Sequence, residues 1–253
     1  MFARRILLAA AAASVAFAAA AQQPPKPART ILAVGAHAGD MELSCGALLL
    51  KEHQRGDRVV LLHLTLGERG NPKLSAEAYA EQKRREATQA AAALGAEAIF
   101  GPYKDGELPN DEEARRYVAD VIRRVQPTLV ITHWKNSMHR DHAAANAIVR
   151  DAVLLAAINQ PAWRGVRSLW YAENWEDAEG FSPYIYVDVS GLIPRWRDAV
   201  TKYEFVRGGV SPFAYLAYYT ALATVRGAEA HKEQAVAFDI EAHGKRRVFE
   251  DIP

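Results

Sequence analysis

The sequence holds a single cysteine, Cys45, in 253 residues. One thiol excludes an internal disulfide, whatever the redox state of the compartment. Cys45 has no basic neighbour in sequence and sits between Ser44 and Gly46 in an amphipathic stretch, so it reads as a small buried apolar residue and not as a nucleophile. Neither charge sign is in excess. With 31 basic and 30 acidic residues, nothing marks the chain for nucleic acid or an anionic membrane. Beyond the N-terminus no apolar run is long enough to cross a bilayer. There is no internal repeat. The first strand–helix turn lacks G-x-G-x-x-G, which argues against a dinucleotide-binding domain.

The first stretch reads as an address, not as fold. Residues 1–21 combine Arg4 and Arg5, an apolar core from Ile6 to Ala20 and small residues up to Ala21, the pattern of a secretory signal peptide. The protein is therefore expected to be exported, periplasmic or secreted. Residues 22–29, with Pro24, Pro25 and Pro27, form an extended leader. The remaining chain suits one domain, 30–240, followed by a charged tail at 241–253.

Within that domain, apolar runs alternate with amphipathic stretches. Strands are expected at 31–35, 58–65, 98–100, 128–132, 168–171 and 184–189. Helices are expected from Asp40, over 76–94 up to Gly95, over 111–125 with Asn110 or Asp111 as cap, and over 143–157. Residues 192–205 and 213–238 also read as helical, the latter in two pieces around Gly227. This alternation, with short connections, implies an α/β domain: a mostly parallel sheet with helices on both faces.

Two polar clusters fall where such sheets place their ligands. His37 and Asp40 follow the first strand; His139-Arg140-Asp141-His142 follows the fourth. Alone, the first pair reads equally as a core histidine and a helix-capping carboxylate. Strands one and four are neighbours in the common doubly wound orders, so both clusters meet at the switch point. His37, Asp40 and His142 then supply a His₂Asp set suited to Zn²⁺ or another divalent ion, with a position left for water. Asp141 is placed to orient an imidazole of the set. His133, at the end of strand four, reads either as a pocket residue or as a loop histidine. Trp134 and Trp175 lie in loops and could offer stacking faces, although most tryptophans here read as packing residues.

These residues also resemble the PIG-L/LmbE family of zinc-dependent N-deacetylases. The family motif A-H-P-D-D-x-E is matched by Ala36-His37-Ala38-Gly39-Asp40-Met41-Glu42, and its H-P-D-H by His139-Arg140-Asp141-His142. Thr65-Leu66-Gly67-Glu68-Arg69-Gly70 is similar to T-x-G-E-x-G, the stretch from Arg85-Glu86-Ala87 to Leu94-Gly95 to its R-E-A…L-G helix, and Asp105-Gly106 to its D-G loop. The resemblance covers roughly residues 30–155. It implies a Rossmann-like fold, with His37, Asp40 and His142 as metal ligands and His139 stabilising an oxyanion with Asp141 bonded to it. It also implies Glu68 and Asp105 at the substrate, an N-acylated amino sugar or related small amide. The family's general base, the first Asp of A-H-P-D-D, is Gly39 here. Another carboxylate (Asp141, Glu68 or Asp105) then takes its task, or the protein binds a glycan or acyl ligand without turning it over. If the chemistry is otherwise intact, Gly39→Asp is expected to raise hydrolysis.

Overall fold

The computed structural model describes residues 28–158, 163 and 165–247. The expected signal peptide and most of the expected leader lie outside the described residues, as does the end of the tail. Among the described residues no helix is long and apolar enough to cross a membrane.

Five strands, β1 (Thr30–Gly35), β2 (Arg58–His63), β3 (Ala96–Phe100), β4 (Leu129–His133) and β5 (Ser168–Ala172), run parallel in the order β3-β2-β1-β4-β5. Period-two alternation divides the core. Leu32, Val34, Val60, Leu62 and Val130 face one side, against Val118 and Ile122 of α3 (Glu112–Val125) and Ile148 and Val149 of α4 (Arg140–Ala157). Ile31, Ala33, Val59 and Leu61 face the other, against Met41, Cys45 and Leu49 of α1 (Asp40–Gln54) and Ala91 and Leu94 of α2 (Ala76–Leu94). Strands buried on both faces need continuous apolar sequence, which is why β1, β2 and β4 stand out in the chain. The helix signals are equally local. Ser75 accepts the Ala78 N–H ahead of α2, Asp111 accepts the Ala114 N–H ahead of α3, and Gly95 ends α2 in the left-handed region at φ 72°.

The second half departs from the sequence expectation. Residues 235–238, read as the end of a long helix, belong to strand β7 (Ala235–Ile240) instead. It lies antiparallel between β5 and β6 (Ile185–Asp188). The helix expected over 213–238 is only α6 (Tyr215–Glu229), and the one expected over 192–205 is α5 (Ile193–Val200). Ala235-Val236-Ala237-Phe238 is apolar throughout and too short to distinguish strand from helix by periodicity, so pairing with two neighbours decides it. Around α5 and α6 a third apolar group, with Trp196, Tyr203 and Tyr219, packs on Leu43 and Ala47 of α1.

Candidate metal centre

β1 and β4 pair directly, so the two polar clusters leave adjacent strand ends. Gly39 precedes α1 at φ 113°, and Asp40 opens the helix. The Asp40 carboxylate turns back over its own loop, where Oδ2 accepts the His37 backbone N–H at 2.7 Å. At the other strand end His139 caps α4 and His142 follows within its first turn, buried.

The three atoms His37 Nδ1, Asp40 Oδ2 and His142 Nε2 face one another. The separations are 3.3 Å between His37 and Asp40, 3.5 Å between His142 and Asp40, and 3.3 Å between the two histidines. Four-coordinate zinc, with bonds of about 2.0–2.1 Å, spaces its ligands about 3.4 Å apart. The far side of each ring is occupied by acids. His142 Nδ1 donates to Asp177 Oδ1 at 2.9 Å, which leaves the Nε2 lone pair aimed at the shared point. His37 Nε2 faces Asp105 Oδ1 at 3.2 Å and Asp141 Oδ2 at 3.5 Å, contacts of ion-pair type and not aligned hydrogen bonds. Neutral imidazoles with those outer protons offer two nitrogen lone pairs and one carboxylate oxygen to a common centre. That donor set and spacing fit a divalent cation.

The acids set the charge state. Burial opposes a proton on His37, but Asp40, Asp105 and Asp141 hold it well above the usual histidine range. Burial and the nearby His133 push His142 down to about 4. Burial would raise Asp40, but His142 and His37 keep it well below the usual carboxylate range. Burial also opposes charge on His133, yet Asp177 and Asp40 push it up to about 9. His133 Nε2 lies 3.0 Å from the Ala36 backbone N–H and 3.1 Å from Asp40 Oδ2. The Ala36 N–H points at that nitrogen, so Nε2 accepts from Ala36 in the neutral ring, whereas a proton there would serve Asp40.

Several expected roles change in detail. The Asp141 carboxylate does not bond His139. It accepts the Gly106 N–H at 2.6 Å and the Leu108 N–H at 3.4 Å and faces His37, whereas His139 Nδ1 accepts the Asp141 backbone N–H at 3.2 Å. Helix capping thus fixes the His139 tautomer, since Nδ1 accepts and the proton sits on Nε2. Burial and then His37 lower its pKa, so the ring stays neutral. His133 is neither a pocket wall nor a loop histidine: it is fully buried behind Asp40, stacked on His142 at 3.9 Å. Asp105 is buried and accepts the Arg69 N–H at 2.9 Å, and Glu68 Oε1 accepts the Asp105 N–H at 2.9 Å. These two acids brace the loop beside His37. Trp175 is partly buried and stacks on Phe213, centroids 4.3 Å apart.

Residues 175–177, a single 3₁₀ turn after β5, carry what the sequence reading missed. Asp177, fully buried, bonds His142 through Oδ1 and His133 Nδ1 through Oδ2, each at 2.9 Å. Glu176 Oε2 lies 3.7 Å from His142 Nε2, and burial, then Asp40 and Asp177, push it up to about 7. In sequence these acids belong to an ordinary polar loop. The available signal was His133 itself, since a buried imidazole needs partners for both nitrogens.

Gly39 also behaves differently from the expectation. A Cβ there would come 2.7 Å from Phe205 Cζ, at a φ that disfavours side chains. The space of the family's base carboxylate is filled by an aromatic ring. Gly39→Asp therefore meets a clash, and the expected gain in hydrolysis gives way to an expected loss.

The family described as PIG-L, GlcNAc-PI de-N-acetylase, matches residues 32–153. Residues 32–153 form a PIG-L domain. Both clusters of the candidate centre lie in the PIG-L portion, whereas Glu176, Asp177 and Phe205 lie beyond it. The chain is 24% identical over 239 residues to 4-oxalmesaconate hydratase from Pseudomonas putida, covering 88% of this chain and 90% of that protein. It is 32% identical over 168 residues to 1D-myo-inositol 2-acetamido-2-deoxy-alpha-D-glucopyranoside deacetylase from Geodermatophilus obscurus, covering 54% of this chain and 56% of that one. The crystal structure of 4-carboxy-2-hydroxymuconate hydratase from Pseudomonas putida shares the fold, with a TM-score of 0.75 at 23% identity, over 89% of this chain and all of that one. PIG-L relatives thus include deacetylases and a hydratase, and this chain spans just over half the length of the Geodermatophilus enzyme.

Proposed function

We propose that the protein is a metal-dependent hydrolase of the N-deacetylase type, acting on an N-acylated amino sugar or related small amide. The observation that carries this reading is the convergence of His37 Nδ1, Asp40 Oδ2 and His142 Nε2 at 3.3–3.5 Å. In it these three residues hold Zn²⁺ or a similar ion, which when bound supplies a Lewis acid that makes water nucleophilic near neutral pH. Asp177 and Asp105 keep the outer protons of the two rings in place. His139, with its proton on Nε2, donates to the oxyanion that forms as water attacks the acyl carbon. Glu68 and Asp105 hold the loop over which the substrate's hydroxyls lie. The residue 1–21 pattern supports action after export, in the periplasm or outside the cell.

The test is zinc-dependent release of acetate from a panel of N-acetylated amino sugars, with His142→Ala as control. Activity that disappears with His142 or with chelation supports the reading. A second reading, water addition to an unsaturated carboxylate, is favoured by the near full-length alignment with the Pseudomonas hydratase. Loss of ultraviolet absorbance from a conjugated dicarboxylate without acetate release would establish it instead. Neither reaction, with metal and glycan still bound, would leave the binding protein that Gly39 favours.

A further inference from the structure

The family's base is missing at residue 39, and the structure shows that its space is unavailable. Phe205 occupies it, with the Lys83 ammonium 4.1 Å over the Phe205 ring and donating to the Ala38 carbonyl. The three substitutes suggested by sequence are engaged elsewhere. Asp105 and Asp141 accept backbone N–H groups and face the outer nitrogen of His37, and Glu68 accepts from the Asp105 backbone. Asp177 is divided between two imidazoles. Glu176 differs from all of these. Its carboxylate makes no hydrogen bond among the described residues, keeps 21% of its surface exposed and reaches 3.7 Å from His142 Nε2. Among the described residues, Asp40 and Glu176 are the acids with an oxygen within 4 Å of that nitrogen.

We infer that Glu176 is the catalytic residue that receives the proton of the attacking water, delivered from the turn after β5 and not from the loop after β1. The inference rests on the deacetylase reading. In the step, the water oxygen bonds the acyl carbon while one of its O–H bonds breaks, and that proton passes to the Glu176 carboxylate. The C=O electron pair moves onto oxygen, where the His139 Nε2–H donates. When the C=O bond re-forms, the C–N bond breaks and the nitrogen takes the proton from Glu176. The products are a carboxylic acid and a free amine, and the carboxylate is restored. The chain thus keeps a base after losing the family's own, by moving it to another element.

Glu176→Gln and Glu176→Asp in the full chain test this, with two readouts: turnover of the best amide substrate, and zinc affinity by competition with a chelator. Expected are a fall in kcat by about 10²–10⁴ for Glu176→Gln, partial recovery for Glu176→Asp, and zinc affinity within a few-fold of wild type for both. Wild-type turnover in Glu176→Gln overturns the inference. So does loss of zinc from that variant, which would make Glu176 a ligand. A wild-type protein that binds zinc but hydrolyses no amide overturns the deacetylase reading, and this assignment with it. The three failures leave different combinations of rate and affinity.

Discussion

Asp177 grips two imidazoles with one carboxylate, and this division makes its replacement informative. Asn offers one oxygen and one NH₂ group, so it accepts from one ring while presenting hydrogens to the Nδ1–H of the other. Asp177→Asn is expected to lower zinc affinity about 10- to 100-fold, as loss of a partner behind a ligating histidine does. Chelator competition measures this, and the metal-free melting temperature reports whether the fold has suffered. Lys83 gives a second prediction at this scale. Burial pushes it from 10.5 down to about 8, so the unfolded chain retains a proton that the folded chain releases. Stability from this group therefore rises with pH between those values, and the cost of a buried charge is fully present below about 8. Lys83→Met should remove that rise, roughly 3–4 kcal/mol at most, in urea unfolding followed across the interval.

At the scale of elements, the start of α1 is the sensitive point. Gly39 stands at φ 113° against Phe205. Gly39→Asp is expected to cost roughly 1–3 kcal/mol in backbone strain plus the steric conflict, and to weaken zinc binding by displacing Asp40. Adding Phe205→Ala should recover part of the melting temperature and the affinity, because it removes the conflict and leaves the strain. A double variant no better than the single one would locate the damage in the backbone alone. Much of the element pattern was legible: β1, β2 and β4 are continuous apolar runs, and α2 and α3 carry their own caps. β7 was not. Its residues follow a helix without a proline or a strong break, and its strand form depends on partners 47 or more residues earlier, from Ile185 to Asp188 in β6 and Trp170 to Ala172 in β5.

For the whole molecule, metal binding and pH are coupled. In the metal-free protein the acids around His37 hold its second proton well above the usual histidine range, and the ion must displace that proton to reach Nδ1. Affinity should therefore fall as pH falls below the raised pKa, by up to about tenfold per pH unit for one displaced proton. Calorimetric titration in buffers of different ionisation enthalpy would count the protons released. Zinc in hundredfold excess over its Kd should add about 2.7 kcal/mol of stability. The convergence of His37, Asp40 and His142, the proposed ligand set, was legible because each half of it is written in consecutive residues beside a strand end. Asp177, Glu176 and Phe205 were not, because each acts across a gap in sequence that only the folded sheet closes.

Among the described residues β6 pairs with β7 alone, and β7 ends at Ile240. During synthesis, then, the three side chains proposed as ligands emerge well before the far edge can assemble. Glu176 and Asp177 sit between β5 and β6, so the turn that steadies His142 takes its final place only when nearly the entire polypeptide is available. A nascent chain halted after α4 would own every proposed ligand yet let that imidazole spin, and should capture zinc far more loosely than the finished protein.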